Sequence, residues 1–201
     1  MTENEKELFI NHMNTHLGDT YAYVMNDVNE GDITLSFLVY TPTEELPFWK
    51  MVTMGASDHE MTKEIESLPN RNEYIMFIPA SVDLVHDNDE LNWYYNFLFQ
   101  TAIHPYVSSE YMSYAHSLEL EGMEGEMVGT VLLFPQILNP EVLRCDLDEN
   151  KQCACLQVMP ITKEEIELKR QVGADKFVEL FYPDDFDEPM LFLAEKHRTK
   201  A

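Results

Sequence analysis

Two histidines near the beginning of the chain have the spacing of a helical metal site. His12 and His16 lie four residues apart in the stretch HMNTH, so on a helix both side chains would share one face, as zinc ligands do. The stretch lacks the glutamate of the H-E-x-x-H pattern, and a third ligand must come from elsewhere. The alternative, which we favour, is a pair of surface histidines near a helix C-terminus, where a positive charge suits the helix dipole.

The three cysteines, Cys145, Cys153 and Cys155, are the second group that could support chemistry. Cys153 and Cys155 stand two residues apart, so on a strand they would face the same side and form a thiolate site with Cys145. Their spacing matches none of the strong zinc patterns, and an odd count argues against a disulfide framework. Because cysteine is among the most buried residue types, we interpret all three as reduced thiols in the core.

Adjacent Ser57, Asp58 and His59, with His86 and His104 elsewhere, supply the residue types of a hydrolase triad. A nucleophilic serine needs an elbow such as G-x-S-x-G, and the segment before Ser57 lacks that pattern. Glycine and serine here are typical of a turn after a strand. No phosphate-binding glycine motif is present either. The sequence therefore predicts no enzyme and no cofactor, and a metal-dependent hydrolase is the less favoured alternative.

The charge of the 201-residue chain is its most unusual property. Thirteen Lys+Arg stand against 37 Asp+Glu, which gives a formal net charge of −24. Phosphate binding needs clustered Lys and Arg, so this balance excludes nucleic acid and anionic membrane as partners. The same field attracts a basic protein and accelerates its capture. Solubility alone is the alternative explanation of the charge.

The beginning of the sequence, MTENEKELFINHM, is acidic and polar. It lacks the basic and apolar regions of a signal peptide. No apolar stretch approaches the ~18 residues that span a bilayer. We therefore expect the chain to reside in the cytoplasm.

Acidic residues concentrate in four clusters at predicted turns and element ends. The first holds Asp83, Asp87, Asp89 and Glu90; the second Glu119, Glu121, Glu124 and Glu126; the third Asp146, Asp148 and Glu149; the fourth Asp184, Asp185, Asp187 and Glu188. Each is either a solvated loop or, where two share a face, part of a docking surface for a basic protein. Neighbouring aromatic residues such as Tyr94, Tyr95, Tyr182 and Phe186 would anchor such an interface, and an exposed sheet edge is another way to bind a partner. We predict that the partner-binding residues are Asp87, Asp89, Glu90, Tyr94, Asp184, Asp185, Asp187 and Glu188.

The spacing of apolar residues distinguishes the predicted helices from the predicted strands, and the strands occur in clusters. Helices are predicted over about 3–17, 91–103, 162–173 and 174–180, and strands over 33–40, 49–54, 73–78, 130–134 and 153–159. Pro105 is expected to end the second helix, and the run from Thr162 to Glu165 fits a capping box. The strands do not alternate regularly with helices. This order favours a single α+β domain over 1–201, with a mixed or mainly antiparallel sheet packed with helices.

Several of these segments resemble one known family in order and spacing. The run WKMVTMGASDHEM from Trp49 to Met61 resembles the T-x-G-x-S…M segment of the suppressor of fused family, and NEYIMFIP, ending at Pro79, resembles its following strand. A Trp-bearing helix, here with Trp93, and TVLLFP come next. The run LQVMPITKEEIEL is similar to the family's L-x-h-x-P-I-T-x-E-E-x-E-L signature, where h is apolar. The resemblance is strongest over residues 30–181.

This resemblance implies a protein that binds another protein and carries out no reaction. The familiar animal member is a longer, two-domain protein that sequesters a transcription factor, whereas small bacterial relatives are proposed to be immunity proteins that neutralise toxins. The chain is similar to one domain only, so a cleft between two domains is not implied. We expect a non-catalytic domain that binds a protein, such as a basic toxin. A general regulatory or sequestering domain is the alternative.

Overall fold

The computed structural model describes residues 1–18, 21–30, 33–62, 67–123, 125–181 and 193–197. Its helices are α1 (Glu3–Leu17), α2 (Asp89–Ser108), α3 (Lys163–Val172) and α4 (Ala174–Phe181). Its strands are β1 (Tyr21–Glu30), β2 (Ile33–Tyr40), β3 (Phe48–Met54), β4 (Asn72–Pro79), β5 (Ser117–Glu119), β6 (Met127–Leu133), β7 (Arg144–Asp146) and β8 (Gln152–Thr162). No helix within these ranges combines the length and apolar character needed to cross a membrane.

The strands form one mixed sheet in the order β1-β2-β3-β4-β8-β6-β5, with β7 beside the first residues of β8. Only the β4–β8 pair is parallel among the paired strands that the structure describes. The predicted α+β class with a mixed, mainly antiparallel sheet is therefore confirmed.

Helices cover both faces of the sheet, because successive strand residues point to opposite sides. Tyr74, Met76 and Ile78 of β4 pack in the apolar core under α2. Ile75 and Phe77 pack in the core under α1. The odd-numbered residues of β8 continue this second face toward α3 and α4. The sheet is thus the middle of three layers.

The strand register fixes what lies at each end of the sheet. Asn72, at the start of β4, pairs with Ala154 near the start of β8, so the β7–β8 turn lies at this end. Met127 pairs with Thr162 at the other end of β8, so the β5–β6 connection lies there. That second end also holds Pro79 and the loop into α2. We call these the Asn72 end and the Pro79 end.

The predicted stop at Pro105 is wrong. α2 continues to Ser108, with Pro105 inside the helix and buried. This proline lies in the last turn, where it removes only one backbone hydrogen bond. The helix ends instead at Ser109, whose φ is 59° and whose N–H donates to the Pro105 carbonyl at 2.9 Å. The capping box at Thr162 is confirmed: its Oγ1 accepts from the N3 backbone N–H, and the N3 carboxylate accepts from its own N–H.

Candidate functional site

A buried carboxyl group organises the Asn72 end of the sheet. Glu73 is 0% exposed, and its Oε2 accepts a hydrogen bond from Thr53 Oγ1 at 2.6 Å. Its Oε1 accepts from the backbone N–H groups of Gly55 at 2.9 Å and Ser57 at 3.0 Å. Burial raises the pKa of Glu73, and the hydrogen bonds oppose that rise. The three residues of the T-x-G-x-S segment therefore all serve to satisfy one buried group.

Gly55 is required at its position by backbone geometry. Its φ is 119°, a conformation that residues with a Cβ rarely adopt. A Cβ built there would lie 2.2 Å from the Thr34 carbonyl oxygen, which belongs to the backbone of β2 and has little room to move. The turn after β3 can thus approach β2 closely enough to reach Glu73 only with glycine at 55.

The same geometry weakens the hydrolase alternative at Ser57 and His59. Ser57 is 0% exposed and its N–H is bonded to Glu73, so a substrate cannot reach it in this structure. His59 packs its ring edge-on against Tyr106 with centroids 5.6 Å apart. The serine is therefore part of the structural motif and not an accessible nucleophile.

Acidic residues around this motif are neutralised by cations. Lys151 Nζ lies 2.9 Å from Asp58 Oδ1 and 3.0 Å from Glu5 Oε1. Arg71 pairs with Glu60 at 2.5 Å and donates to the backbone carbonyls of Ser57 and Asp58, each at 3.0 Å. Burial by itself raises the pKa of Glu5, but the Thr2 backbone N–H and the Lys151 ammonium hold it below its ordinary value. The carboxylates next to the motif are therefore already paired, whereas those of Asp146, Asp148 and Glu149 in the β7–β8 turn are exposed and form no ion pair with a described residue.

At the Pro79 end, a compact loop fixes the beginning of α2. Asp83 accepts from the N–H of Val85 at 2.9 Å and lies 2.9 Å from His86 Nδ1, which hold its pKa below the ordinary value. Asn88 is the N-cap, and its Oδ1 accepts from the N–H groups of Glu90 and Leu91 at 2.9 and 2.8 Å. Because Asn88 ends the loop, the acidic residues that follow it stand in the first exposed turn of the helix.

A cleft of about 390 Å³ lies between α2 and the β5–β6 connection. Its α2 wall consists of side chains at helical spacing on one face of the helix. Its other wall is Gly122 and Met123, and the Nε2 of Gln100 reaches the Met123 sulfur at 3.6 Å. The full lining is Asp89, Asn92, Trp93, Asn96, Gln100, Gly122, Met123 and Lys196.

The first and second acidic clusters meet at this cleft. Asp89 lines it, and Glu121 directly precedes the Gly122 of the opposite wall. Five exposed carboxylates near it form no ion pair with any residue that the structure describes: Asp87, Asp89, Glu90, Glu121 and Glu126. Glu119 instead pairs with Arg170 at 3.6 Å. The third cluster lies in the β7–β8 turn at the opposite end.

The predicted partner-binding residues fall into three groups. Asp87, Asp89 and Glu90 are exposed beside the cleft. Tyr94 is only 1% exposed, so it belongs to the core under α2 and not to an exposed surface. Burial raises its pKa, as do the neighbouring carboxylates of Glu90 and Glu195. The fourth cluster, Asp184, Asp185, Asp187 and Glu188, lies outside the described residues.

The amide residues of the cleft were missed by the sequence reasoning. Asn92, Asn96 and Gln100 repeat every four residues on α2, which is a signal readable in the sequence. The opposite wall at Gly122 and Met123 had no such signal, because only the β5–β6 pairing brings it to the helix.

A second, wider cleft of about 640 Å³ opens where the end of α2 meets β5 and α3. Hydroxyl groups line it where amide side chains line the first cleft, whereas each cleft has one carboxylate and one lysine. Lys169 lies in the last turn of α3, and burial lowers its pKa. The lining comprises Thr62, Ser109, Glu110, Tyr111, Met112, His116, Ser117 and Lys169.

The histidine pair and the cysteines find structural explanations. His12 and His16 are half-buried on α1 with ring centroids 4.8 Å apart, and His12 Nε2 lies 3.3 Å from the Val142 carbonyl oxygen. Burial lowers the pKa of His12. Within the described ranges no three His, Cys, Asp or Glu residues are placed to hold a metal. All three cysteines are free and buried in the core under α1, as predicted.

These features define the class of protein: an α+β domain with a structural carboxyl motif at one end of its sheet and an acidic surface cleft at the other. Residues 31–191 match the family model described as "Suppressor of fused protein (SUFU)". The chain therefore belongs to the suppressor of fused family. A search of curated protein sequences finds no match.

Solved structures share the fold at low sequence identity. One is described as "the Sufu-Fu complex crystal structure", with a TM-score of 0.66, 9% identity, and coverage of 97% of this chain and 91% of that one. A putative SUFU homolog from Neisseria gonorrhoeae FA 1090 has a TM-score of 0.65 and 10% identity, with 98% and 99% of the chains covered. Drosophila Suppressor of Fused has a TM-score of 0.67 and 10% identity; 98% of this chain matches 51% of it. The chain thus spans about half of the Drosophila protein.

Proposed function

We propose that this chain is a non-catalytic domain that neutralises a basic protein by binding it, and that it acts in the cytoplasm as an immunity protein against a toxin. The observation that carries the proposal is the convergence of two acidic segments, distant in sequence, on one cleft. Among the described residues, Asp83 of these segments lies beside His86 and Glu119 pairs with Arg170. Five carboxylates form no ion pair there: Asp87, Asp89, Glu90, Glu121 and Glu126. An unneutralised acidic surface attracts a basic partner and accelerates its association.

The family supports the binding part of the proposal. The chain belongs to the suppressor of fused family, and one structure of that fold is described as a complex of Sufu with Fu. The immunity role rests on the resemblance to small bacterial members and on the charge of −24. The proposed action leaves the partner's covalent bonds intact, so stoichiometric amounts are required.

The test compares two variants with equal numbers of neutralised carboxylates. The cleft variant combines Asp89→Asn, Glu121→Gln and Glu126→Gln, whereas the control combines Asp146→Asn, Asp148→Asn and Glu149→Gln in the β7–β8 turn. Both lose three charges, but only the first changes the cleft. We expect a pull-down from the native host to recover a basic protein with the wild type and the control and much less with the cleft variant.

The outcome separates the parts of the proposal. Equal recovery with both triple variants would show that the cleft is not the binding surface. Recovery of a basic partner that is harmless when expressed alone would favour the general sequestering domain over an immunity protein. A toxic partner whose effect is suppressed by one equivalent of this chain would support immunity.

A further inference from the structure

The acidic cleft contains a lysine of the chain itself. Lys196 lines the cleft together with Asp89 and the amide side chains of α2, and it is half-buried there. It forms no ion pair with a residue in the described part of the chain. In a protein with 13 Lys+Arg against 37 Asp+Glu, a lysine directed to the acidic cleft is a chemical indication of the group that the cleft accepts.

Backbone contacts hold the segment 193–197 in place. The N–H of Ala194 donates to the Phe77 carbonyl at 2.6 Å, and Ala194 is 1% exposed. The backbone of Lys196 forms a hydrogen bond with the Tyr94 hydroxyl. The pairing of β4 with β8 ends at Ile75, so β4 continues to Pro79 beyond its partner strand. The segment therefore contacts β4 in the part that β8 leaves unpaired.

The binding mode of this segment has two chemical requirements. Position 194 must carry a small side chain, because Ala194 is enclosed. Two residues later, the segment presents a side chain to a cleft lined by one carboxylate, Asp89, and by three amide side chains. These oxygen acceptors suit an ammonium or guanidinium group. Two backbone hydrogen bonds hold the segment, together with apolar packing of Leu193 and Ala194. A peptide of the same pattern can form the same backbone bonds.

We propose that the cleft binds a lysine or arginine side chain that a partner protein presents on an irregular segment, two residues after a small residue, and that Lys196 occupies this place in the free chain. The inference rests on the proposed function and names the partner's recognition element. The segment 193–197 then acts as an internal competitor. The partner must displace it. The apparent affinity is therefore the intrinsic affinity multiplied by the fraction of molecules in which the cleft is free.

The test uses a hexalysine peptide whose third residue is replaced by alanine, so that a lysine stands two residues after a small residue; it is called hexalysine below. The readouts are the fluorescence of cleft residue Trp93 and probe anisotropy. Lys196→Ala vacates the place of the lysine side chain in the cleft, leaves the backbone contacts of the segment, and removes one positive charge. Lys176→Ala removes the same charge from the exposed surface of α4 and is the matched control. At equal ionic strength we expect Lys196→Ala to increase hexalysine affinity about threefold or more. Lys176→Ala should change it by less than about 1.5-fold, as a general charge effect.

Two results would overturn the inference, and they differ in what they mean for the proposed function. Equal hexalysine affinity for the two lysine variants, with binding still lost in the Asp89→Asn, Glu121→Gln, Glu126→Gln variant, would refute the competitor role and keep the cleft as the binding surface. Hexalysine binding that the triple cleft variant leaves unchanged would refute both. Both lysine substitutions are conservative for folding, because neither side chain is fully buried.

Discussion

The carboxylates around the Glu73 motif and those around the cleft are in opposite situations. At the Asn72 end, Glu73 is enclosed and bonded to three donors, and the acids around it pair with Lys151 and Arg71. At the Pro79 end, five carboxylates stand in water without an ion pair among the described residues. Burial of a charged group is costly unless hydrogen bonds and charges compensate for it, whereas an exposed group needs no partner.

This contrast distinguishes residues that build the fold from residues available to bind. The motif at the Asn72 end has satisfied the carboxyl group of Glu73 internally, so a change in the motif should alter stability. The Pro79 end leaves its charges open to other molecules, so a change there should alter association and leave stability nearly unchanged. Three of the four predictions below compare the two ends, and the remaining one concerns Glu73 alone.

The largest expected difference concerns two glycines with positive φ. Gly55→Ala at the Asn72 end should lower the free energy of unfolding by roughly 4 kcal/mol or more, because the new Cβ meets the Thr34 backbone and φ is 119°. Gly122→Ala at the Pro79 end, with φ 70° and nothing within 4 Å of a Cβ, should cost about 1 kcal/mol. Urea unfolding of both variants measures the difference. Similar costs would contradict the close-packing explanation.

The second prediction concerns the buried carboxyl group. Glu73→Ala should lower the free energy of unfolding by about 3 kcal/mol, since it leaves the hydroxyl of Thr53 and two backbone N–H groups without their acceptor. Glu73→Gln should cost about 1 kcal/mol, because its amide oxygen can still accept from the two N–H groups. Glu90→Ala is the exposed control at the Pro79 end. If Glu73→Ala were no more harmful than Glu90→Ala, the motif would not stabilise the fold.

The third prediction concerns pH. Since the folded protein raises the pKa of Glu73, the native state binds this proton more tightly than the unfolded state does. Its contribution to stability is complete below the unfolded pKa of about 4.3 and is lost as pH rises through the folded pKa. The stability of wild type minus that of Glu73→Gln should therefore fall as pH rises across this window. Thermal unfolding between pH 4 and 8 measures this difference in stability. A difference that increases with pH would show that folding lowers the pKa of Glu73.

The smallest expected effect concerns exposed charges. Glu121→Gln with Glu126→Gln should change stability by at most about 0.5 kcal/mol, because both side chains are exposed and unpaired. Lys151→Met at the Asn72 end should cost about 1 kcal/mol, because it leaves buried Glu5 without its cation and Asp58 with the Met1 ammonium alone. Raising the salt concentration should reduce association at the Pro79 end more than it reduces stability. Hexalysine binding and unfolding curves, each measured at two salt concentrations, test this difference.

Local signals in the sequence predicted most of the long elements. The 15-residue helix α1 and the strands β2, β3, β4, β6 and β8 agree with their apolar patterns to within a few residues. Strand β1 was missed, as were β5 and β7, which are only three residues long. Elements of that length carry too little periodicity to be recognised, and pairing with a long neighbour forms them.

The sequence by itself determined the fold class, the family resemblance, the core position of the cysteines and the acidic character. These properties follow from composition, from residue periodicity along short segments, and from motif order. Only the tertiary structure decided which acidic clusters meet, that Tyr94 is buried, and that Thr53, Gly55 and Ser57 converge on Glu73. The physical reason is that each of these facts joins residues from separate strands, helices and turns. Their distances depend on strand register and layer packing, and neither can be read from neighbouring positions in a chain.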